Sequence, residues 1–509
     1  MNYNPLILTD FYKACHHAQY HEDLEYITSY YTPRMSRIKY KKVVVALIQS
    51  FIKEYLIEKF NDNFFKMPKD LVLEYYNFVL KETIGERVAN QASKRVGELH
   101  DLGYLPIKIS AIPEGNLIPM KVPMLEITNT HPKFAWLVNA LESLMSSSLW
   151  HGMISATVGY EYRKIANKWY EKTSDLNSAR NALGDFSFRG QESVESAVKS
   201  SAGFLYSNIN TATVATIPYL GHYYNTDLSE IGKGGVSTEH SVMCSNFSID
   251  GDEETFIRKL ITDIYPDGYV SIVSDSYDYW NVVNVIFPSL KKEILSRDGV
   301  VGVRGDSGDP VEIVAGKRLP EDYKGDMSDL SLEDAGTVEV LWRHFGGTIN
   351  SKGYKVLDKY IKVVYGDSIT QNRAEEIYSR LEEKGFSAEC VSLGVGSFSM
   401  QALEETDGNL YPYTRDTFGV AIKATHGIMK DGKEIFILKN PKTDNDNFKK
   451  SLQGLVDVRV DEDGEFFAVD CIKKDDSRNT KMKVVFKDGA LINPEKLSEI
   501  RNRLHNNKF

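Results

Sequence analysis

The segment Gly299-Val-Val-Gly-Val-Arg-Gly-Asp-Ser-Gly-Asp-Pro310 decides the fold. An apolar run stops abruptly at one arginine, two aspartates and two glycines. A simple turn needs Gly, Asp and Pro; it does not need Arg304. The same grammar recurs elsewhere. Gly268–Asp278 runs an apolar strand into Asp275, Tyr360–Ser368 runs one into Gly366 and Asp367, and Cys390–Ser397 runs one into Gly394, Gly396 and Ser397. Helical patterns lie between them, through Trp280–Leu295 and Gln371–Gly385. Apolar strands alternating with helices predict a buried parallel sheet. In barrels and open α/β sheets alike, active sites gather at the carboxyl ends of such strands. Each polar tip lies at one.

Outside this region the texture changes. Residues 35–100 read mainly as helix, with Val43–Leu56 at helical spacing. Residues 104–128 read as short antiparallel strands around prolines, and 134–175 return to helix. After residue 405 hairpins are expected at the Asp-Gly pairs 431–432, 463–464 and 488–489. The expected architecture is α/β. A central parallel barrel-like domain covers 179–399, and a β-containing domain is built from both termini, 1–178 and 400–509.

Composition narrows the function. The chain has 509 residues, 42% hydrophobic and 26% charged, with a formal net charge of −10. That balance argues against nucleic-acid or anionic-membrane binding by bulk electrostatics. A local basic pocket for a phosphorylated small molecule remains open. Cys15, Cys244, Cys390 and Cys471 are far apart with no zinc-ligand spacing. No signal peptide or membrane span is expected, and a cytoplasmic location fits.

The tips supply carboxylates, glycine turns and guanidinium groups. Arg189, Arg304 and Arg415 suit phosphate. Glycine turns bring backbone N–H groups to phosphate. Asp275, Asp306 and Asp367 suit sugar hydroxyls or a hydrated Mg²⁺. Together they suit a sugar bearing phosphates. Neither a Walker A nor a GxGxxG fingerprint is present. Taken alone, His240 reads as structural, the alternation of Phe186 and Phe188 as strand packing, and Lys439, Lys449 and Lys450 as a solvated loop.

Eight segments in order sharpen this reading: TDFYK (9–13), DFSFRG (185–190), STEHS (237–241), SIVSDSYD (271–278), VRGDSGDP (303–310), VVYGDS (363–368), LGVGS (393–397) and TRDTFG (414–419). The set resembles the nicotinamide phosphoribosyltransferase family, from Asp10 to about Gly454. The resemblance implies a type II phosphoribosyltransferase fold, Mg²⁺, and a homodimer with shared active sites. It implies that nicotinamide and 5-phosphoribosyl-1-pyrophosphate give nicotinamide mononucleotide and pyrophosphate. Phe186, with Tyr12 of the partner subunit, would sandwich the pyridine ring. Arg189 and Arg304 would lie near pyrophosphate and base, and Asp275, Asp306 and Asp367 around ribose and metal. Gly396 and Ser397 would hold the 5′-phosphate with Arg415 beside them, and Arg34, Lys423, Lys439 and Lys449 would form a basic cluster. Asp10, Ser271 and Gly366 fall within the same motifs as substrate contacts. His240 would be the histidine phosphorylated by ATP.

Two departures stand out. Amide-preferring relatives carry an aspartate in Thr-Asp-Thr-Val-Ala, whereas this chain has Thr211-Ala-Thr-Val-Ala215. Asn210 or a water is a candidate substitute for the missing carboxylate. The phosphate loop reads Gly396-Ser397-Phe398 in place of consecutive glycines. The first alternative reading is therefore nicotinate phosphoribosyl transfer. A barrel glycoside hydrolase with two carboxylates does not need the arginines, and a non-catalytic binding protein does not need the full carboxylate–arginine set.

Overall fold

The computed structural model describes residues 3–320, 323, 325–443 and 449–506. The chain divides into two compact units: residues 1–157, 218–230 and 413–509 in one, and 158–217 with 231–412 in the other. The division falls inside the helix Glu142–Thr173, upstream of the change in sequence texture near 178.

The second unit holds the parallel sheet. Its strands are β1 Leu183–Asp185, β2 Asn210–Thr211, β3 Val236–Ser237, β4 Val270–Val273, β5 Val301–Gly305, β6 Ile361–Tyr365 and β7 Val391–Val395. The order across the sheet is β2-β1-β7-β6-β5-β4-β3, with every neighbouring pair parallel. An isolated parallel bridge from Asn210 to Lys233 ties the lead-in to β3 back to β2, so the sheet curls round. Val270, Ile272, Val301, Val303, Val363, Val391 and Val395 are wholly buried, which is why these strands read as continuous apolar runs. The helix Gln371–Glu383 starts where the Thr370 hydroxyl accepts the Arg373 N–H at 3.3 Å. It stops just before Gly385, whose φ of 77° suits a residue without a side chain.

The first unit is antiparallel. Its seven-stranded sheet includes Leu24–Thr32 paired with Ala421–Met429 and with Leu125–Asn129, and Ile107–Ala111 paired with Lys483–Lys487. The Asp-Gly turns close hairpins as expected at Asp431-Gly432, Asp463-Gly464 and Asp488-Gly489. One element differs. The run beginning at Val43 does not start a helix, because Lys42–Val44 is a strand paired with Leu117–Pro119. Leu47 turns the chain at φ 62°. The buried Glu114 carboxylate accepts the N–H groups of Leu47 at 2.7 Å and Gln49 at 2.6 Å, and helical turns begin only at Ile48. Consecutive β-branched valines favoured the strand, and a carboxylate from a distant segment capped the helix. Among the described residues no helix is long and apolar enough to cross a membrane.

Candidate active site

Three adjacent parallel strands bring the carboxylates together. Beyond β4, Asp275 has a side chain only 4% exposed. One of its oxygens meets the His240 Nε2 at 3.1 Å, and the other accepts the Asp306 backbone N–H at 3.0 Å. Asp275 thus fixes both the loop after β5 and the first residue of the helix His240–Asp250. Arg304, near the end of β5, donates from Nη1 to the Ser237 hydroxyl at 2.5 Å and lies 3.4 Å from the Asp306 carboxylate. Burial pushes the Asp306 carboxyl above its ordinary range. Arg304 and His240 oppose the shift, while Asp275 and Asp367 add to it. Asp367 itself is exposed on the turn after β6, where it accepts the Ser368 hydroxyl at 2.8 Å. Ser368 has a φ of 54°, rare for a residue with a side chain.

Beside this cluster the partly exposed Phe186 ring presents an apolar face, the Phe186 slot. β1 ends at Asp185, and the Phe186 N–H continues the ladder to the Val395 carbonyl at 2.9 Å. A Cβ at Gly394 would overlap the Phe186 ring, and one at Gly366 would come within 2.7 Å of an Asp306 oxygen and 3.2 Å of the ring. Glycine at both places lets an aromatic face and a catalytic-type carboxylate share one floor. Phe186 is 37% exposed and Phe188 42%. Strand packing does not account for Phe188, because Phe188–Gly190 is a tight helical turn outside the sheet, while the Phe186 ring lies against Gly394 and Gly366 with part of its surface exposed. Arg189 stands exposed on that turn.

The loop after β7 supplies a further donor. Gly396 has an ordinary φ of −81° and precedes the short helix Ser397–Gln401. Ser397 approaches Gly190 so closely that a Cβ there would overlap its hydroxyl. The pair joins two tips, and Phe398 needs no special backbone. Ser271 is buried in β4. Asn210 donates its amide to the Asn181 carbonyl at 3.0 Å, so that hydrogen already has a backbone partner.

The remaining expected residues lie in the first unit. Lys423 loses charge affinity first through burial and then through Arg34, Lys439 and Arg415; Glu142 opposes the shift. Those four cations therefore form one cluster. Arg34 is held by the Gly419 carbonyl at 2.6 Å. Lys449 is exposed on the chain segment that returns to Lys439 through Ser451. The helix Phe11–Ala14 is anchored by Lys13, buried against Glu142 at 3.2 Å and Ser143 at 2.8 Å. Asp10 accepts the Ser143 hydroxyl. Phe11 and Tyr12 project outward, 56% and 61% exposed.

Sequence reasoning missed three groups. Ser237 sits inside STEHS and holds Arg304. Asp185 opens DFSFRG and is wholly buried. Glu253 has a carboxyl pushed up to about 7 by burial, Asp278 and Asp275. The first two lay inside quoted motifs; nothing in the local sequence marks Glu253.

Comparison with known proteins shows the family and the fold. The family model described as the nicotinate phosphoribosyltransferase (NAPRTase) family matches residues 182–490, and that of the nicotinamide phosphoribosyltransferase N-terminal domain matches residues 4–109. A protein of Acinetobacter baylyi named nicotinamide phosphoribosyltransferase is 39% identical over 98% of this chain and 97% of its own. One of the same name from Mycoplasma genitalium is 29% identical over 86% of this chain and 92% of its own. Among solved structures, nicotinate-nucleotide pyrophosphorylase from Pyrococcus furiosus superposes with a TM-score of 0.55 at 13% identity, covering 98% of this chain and 95% of that one. Human nicotinic acid phosphoribosyltransferase gives 0.52 at 14% identity, over 97% and 92%. These last two share the fold. With the family model spanning most of the barrel unit and a relative at 39% identity along nearly the whole length, the chain belongs to the nicotinate phosphoribosyltransferase family of phosphoribosyl-transferring enzymes.

Proposed function

We propose that this enzyme joins nicotinamide to 5-phosphoribosyl-1-pyrophosphate, releasing pyrophosphate and forming nicotinamide mononucleotide. The observation that carries the reading is the meeting of Asp275, Asp306, Asp367 and Arg304 with the half-exposed Phe186 ring at the carboxyl ends of one parallel sheet. The names of the relatives from A. baylyi and M. genitalium support the amide as the base.

The chemistry follows from charge. The bond from ribose C1 to the pyrophosphate oxygen breaks, and its electron pair leaves with the pyrophosphate. Positive charge develops on the ribosyl ring, and fixed carboxylates at Asp306 and Asp367 stabilise it. Arg304 takes phosphate oxygens, with Ser397 and the Gly396 loop at the 5′-phosphate; Arg415, Lys423, Lys439, Lys449 and Arg34 are the phosphate-type cations of the first unit. The pyridine nitrogen lone pair then forms the new bond to C1. No protein nucleophile or base is required. Orientation carries the rate, which is the task of Phe186.

Mg²⁺ suits this site only together with the substrate. Among the described residues no group of three metal-type ligands exists, and both oxygens of Asp275 are already engaged. Asp306 and Asp367 would hold a hydrated ion carried by the substrate phosphates, as Mg²⁺ ordinarily binds. When bound, it would offset charge on the leaving pyrophosphate. The exposed Tyr12, on a helix pinned by Lys13, supports a homodimer in which it covers the Phe186 slot of the partner. A cytoplasmic location accords with the four dispersed cysteines, all free among the described residues.

Ala212 supports a second reading, transfer to nicotinate. Initial rates with both bases, under identical Mg²⁺ and phosphoribosyl pyrophosphate, separate them. A higher kcat/KM for nicotinamide is expected, and a higher value for nicotinate would move the reaction to the acid.

His240 is half-exposed, with Nε2 on Asp275. We infer that ATP phosphorylates it and that the phosphorylated form turns over faster. ATP should then raise kcat/KM in the wild type but not in His240→Ala. Equal activity with and without ATP in both forms would return His240 to a structural role.

A further inference from the structure

Asp185 is the last residue of β1 and is wholly buried. Its Oδ1 accepts the Ser187 N–H at 3.0 Å and the Ser187 hydroxyl at 2.5 Å. Its Oδ2 accepts the hydroxyls of Thr211 at 3.0 Å and Thr213 at 2.9 Å. Four donors and no acceptor face it, which suits an ionised carboxyl, a group that only accepts. Among the described residues no Lys, Arg or His pairs with it. An uncharged side chain here would avoid the cost of a buried charge without a counter-ion.

The position of this charge gives it a use. Side chains alternate across a strand, so the Asp185 carboxylate lies behind the tip that carries Phe186 on its other face. On the neighbouring strand Thr211 pairs with Asp185, and the Ala212 N–H donates to the Asp185 carbonyl at 2.8 Å. Ala212 therefore stands level with Phe186 and is flanked by the two threonines that hold the carboxylate. The one carboxylate pins both tips and places a full negative charge in their wall. Arg189, on the turn past Phe186, would favour an anion in the slot. It is exposed, and water and salt screen it; a buried charge is screened far less.

We propose that Asp185 sets the preference of the Phe186 slot for a neutral over an anionic pyridine, the task left open by the alanine at 212. The proposal rests on the assignment of that slot to the base. An anionic base is repelled through the tip, and an uncharged one is not.

The test compares nicotinamide and nicotinate kcat/KM in the wild type, Asp185→Asn and Ser187→Ala. Asparagine keeps an acceptor for Ser187 and offers an amide to the two threonine hydroxyls, so the frame persists while the charge goes. The nicotinamide-to-nicotinate ratio should fall about tenfold in Asp185→Asn, each tenfold corresponding to about 1.4 kcal/mol. The fall should come through a lower KM for nicotinate. Ser187→Ala loses one hydrogen bond but keeps the charge, and its ratio should match the wild type. Equal losses for both bases in Asp185→Asn would overturn the proposal. So would a shift in Ser187→Ala as large as that in Asp185→Asn, which would place the effect in the frame. Asp185→Ser, with room for a water among the four donors, is prepared in parallel. Insolubility of both Asp185 variants would make the carboxylate a folding element and also overturn the idea. A wild type that transfers to neither base would instead remove the underlying reading, an outcome visible before any variant is made.

Discussion

Asp306→Ala is expected to lower kcat about a thousandfold, the scale found when one group aimed at a developing transition-state charge is removed. Asp306 is suited to the task because its surroundings oppose the charge it carries. Burial raises its carboxyl above the ordinary 3.8, with Asp275 and Asp367 adding to the effect and Arg304 opposing it. A ribosyl cation forming beside it relieves that cost. Circular dichroism should show an intact fold, since the β5 backbone is held by its parallel ladders. A near-normal rate would remove Asp306 from the site. The same shift carries a stability consequence. A carboxyl with a raised native pKa contributes fully while protonated and loses that contribution as pH rises through the native value. Asp306→Asn, which cannot ionise, should therefore gain in Tm relative to the ligand-free wild type as pH rises from about 3.8 to 7. A gap that narrows over that interval would mean that Arg304 outweighs burial.

The parallel sheet was legible because its strands are buried on both faces. Such strands must be apolar throughout, and the switch to Asp, Gly and Arg at Asp275, Asp306 and Asp367 marks where each one emerges. The short strands β2 and β3, two residues each, lack that contrast and carry no sequence signal of their own. The strand at Lys42–Val44 was hidden for a different reason. Its apolar run continues into Ile48–Phe51, and only the distant Glu114 decides where strand ends and helix begins. Within the site, charged and aromatic tips could be listed from sequence, but their supports could not. Ser237 on Arg304 and the threonines on Asp185 are ordinary residues until the fold brings them together, Ser237 from 67 positions away in sequence and the threonines from a neighbouring strand.

Phe186→Ala should raise the KM for the base between ten- and a hundredfold, with a smaller change in kcat, because stacking of a base on an aromatic ring is worth about 1–3 kcal/mol. Removal of a residue that merely filled a core would instead lower stability and leave KM alone. Gly394 offers a way to move the ring without deleting it. Its backbone needs no positive φ, so alanine is conformationally admissible there, yet the added Cβ would overlap the Phe186 ring. The ring must tilt or lift off the floor it shares with Gly366. Gly394→Ala should therefore raise the base KM in the same direction as Phe186→Ala. In the double variant the ring is absent, and the added methyl has nothing to displace. The combined effect should stay close to that of Phe186→Ala alone, the non-additivity expected of two residues acting through one contact. Strict additivity would mean that Gly394→Ala disturbs β7 itself, and the glycine would then serve the sheet rather than the slot.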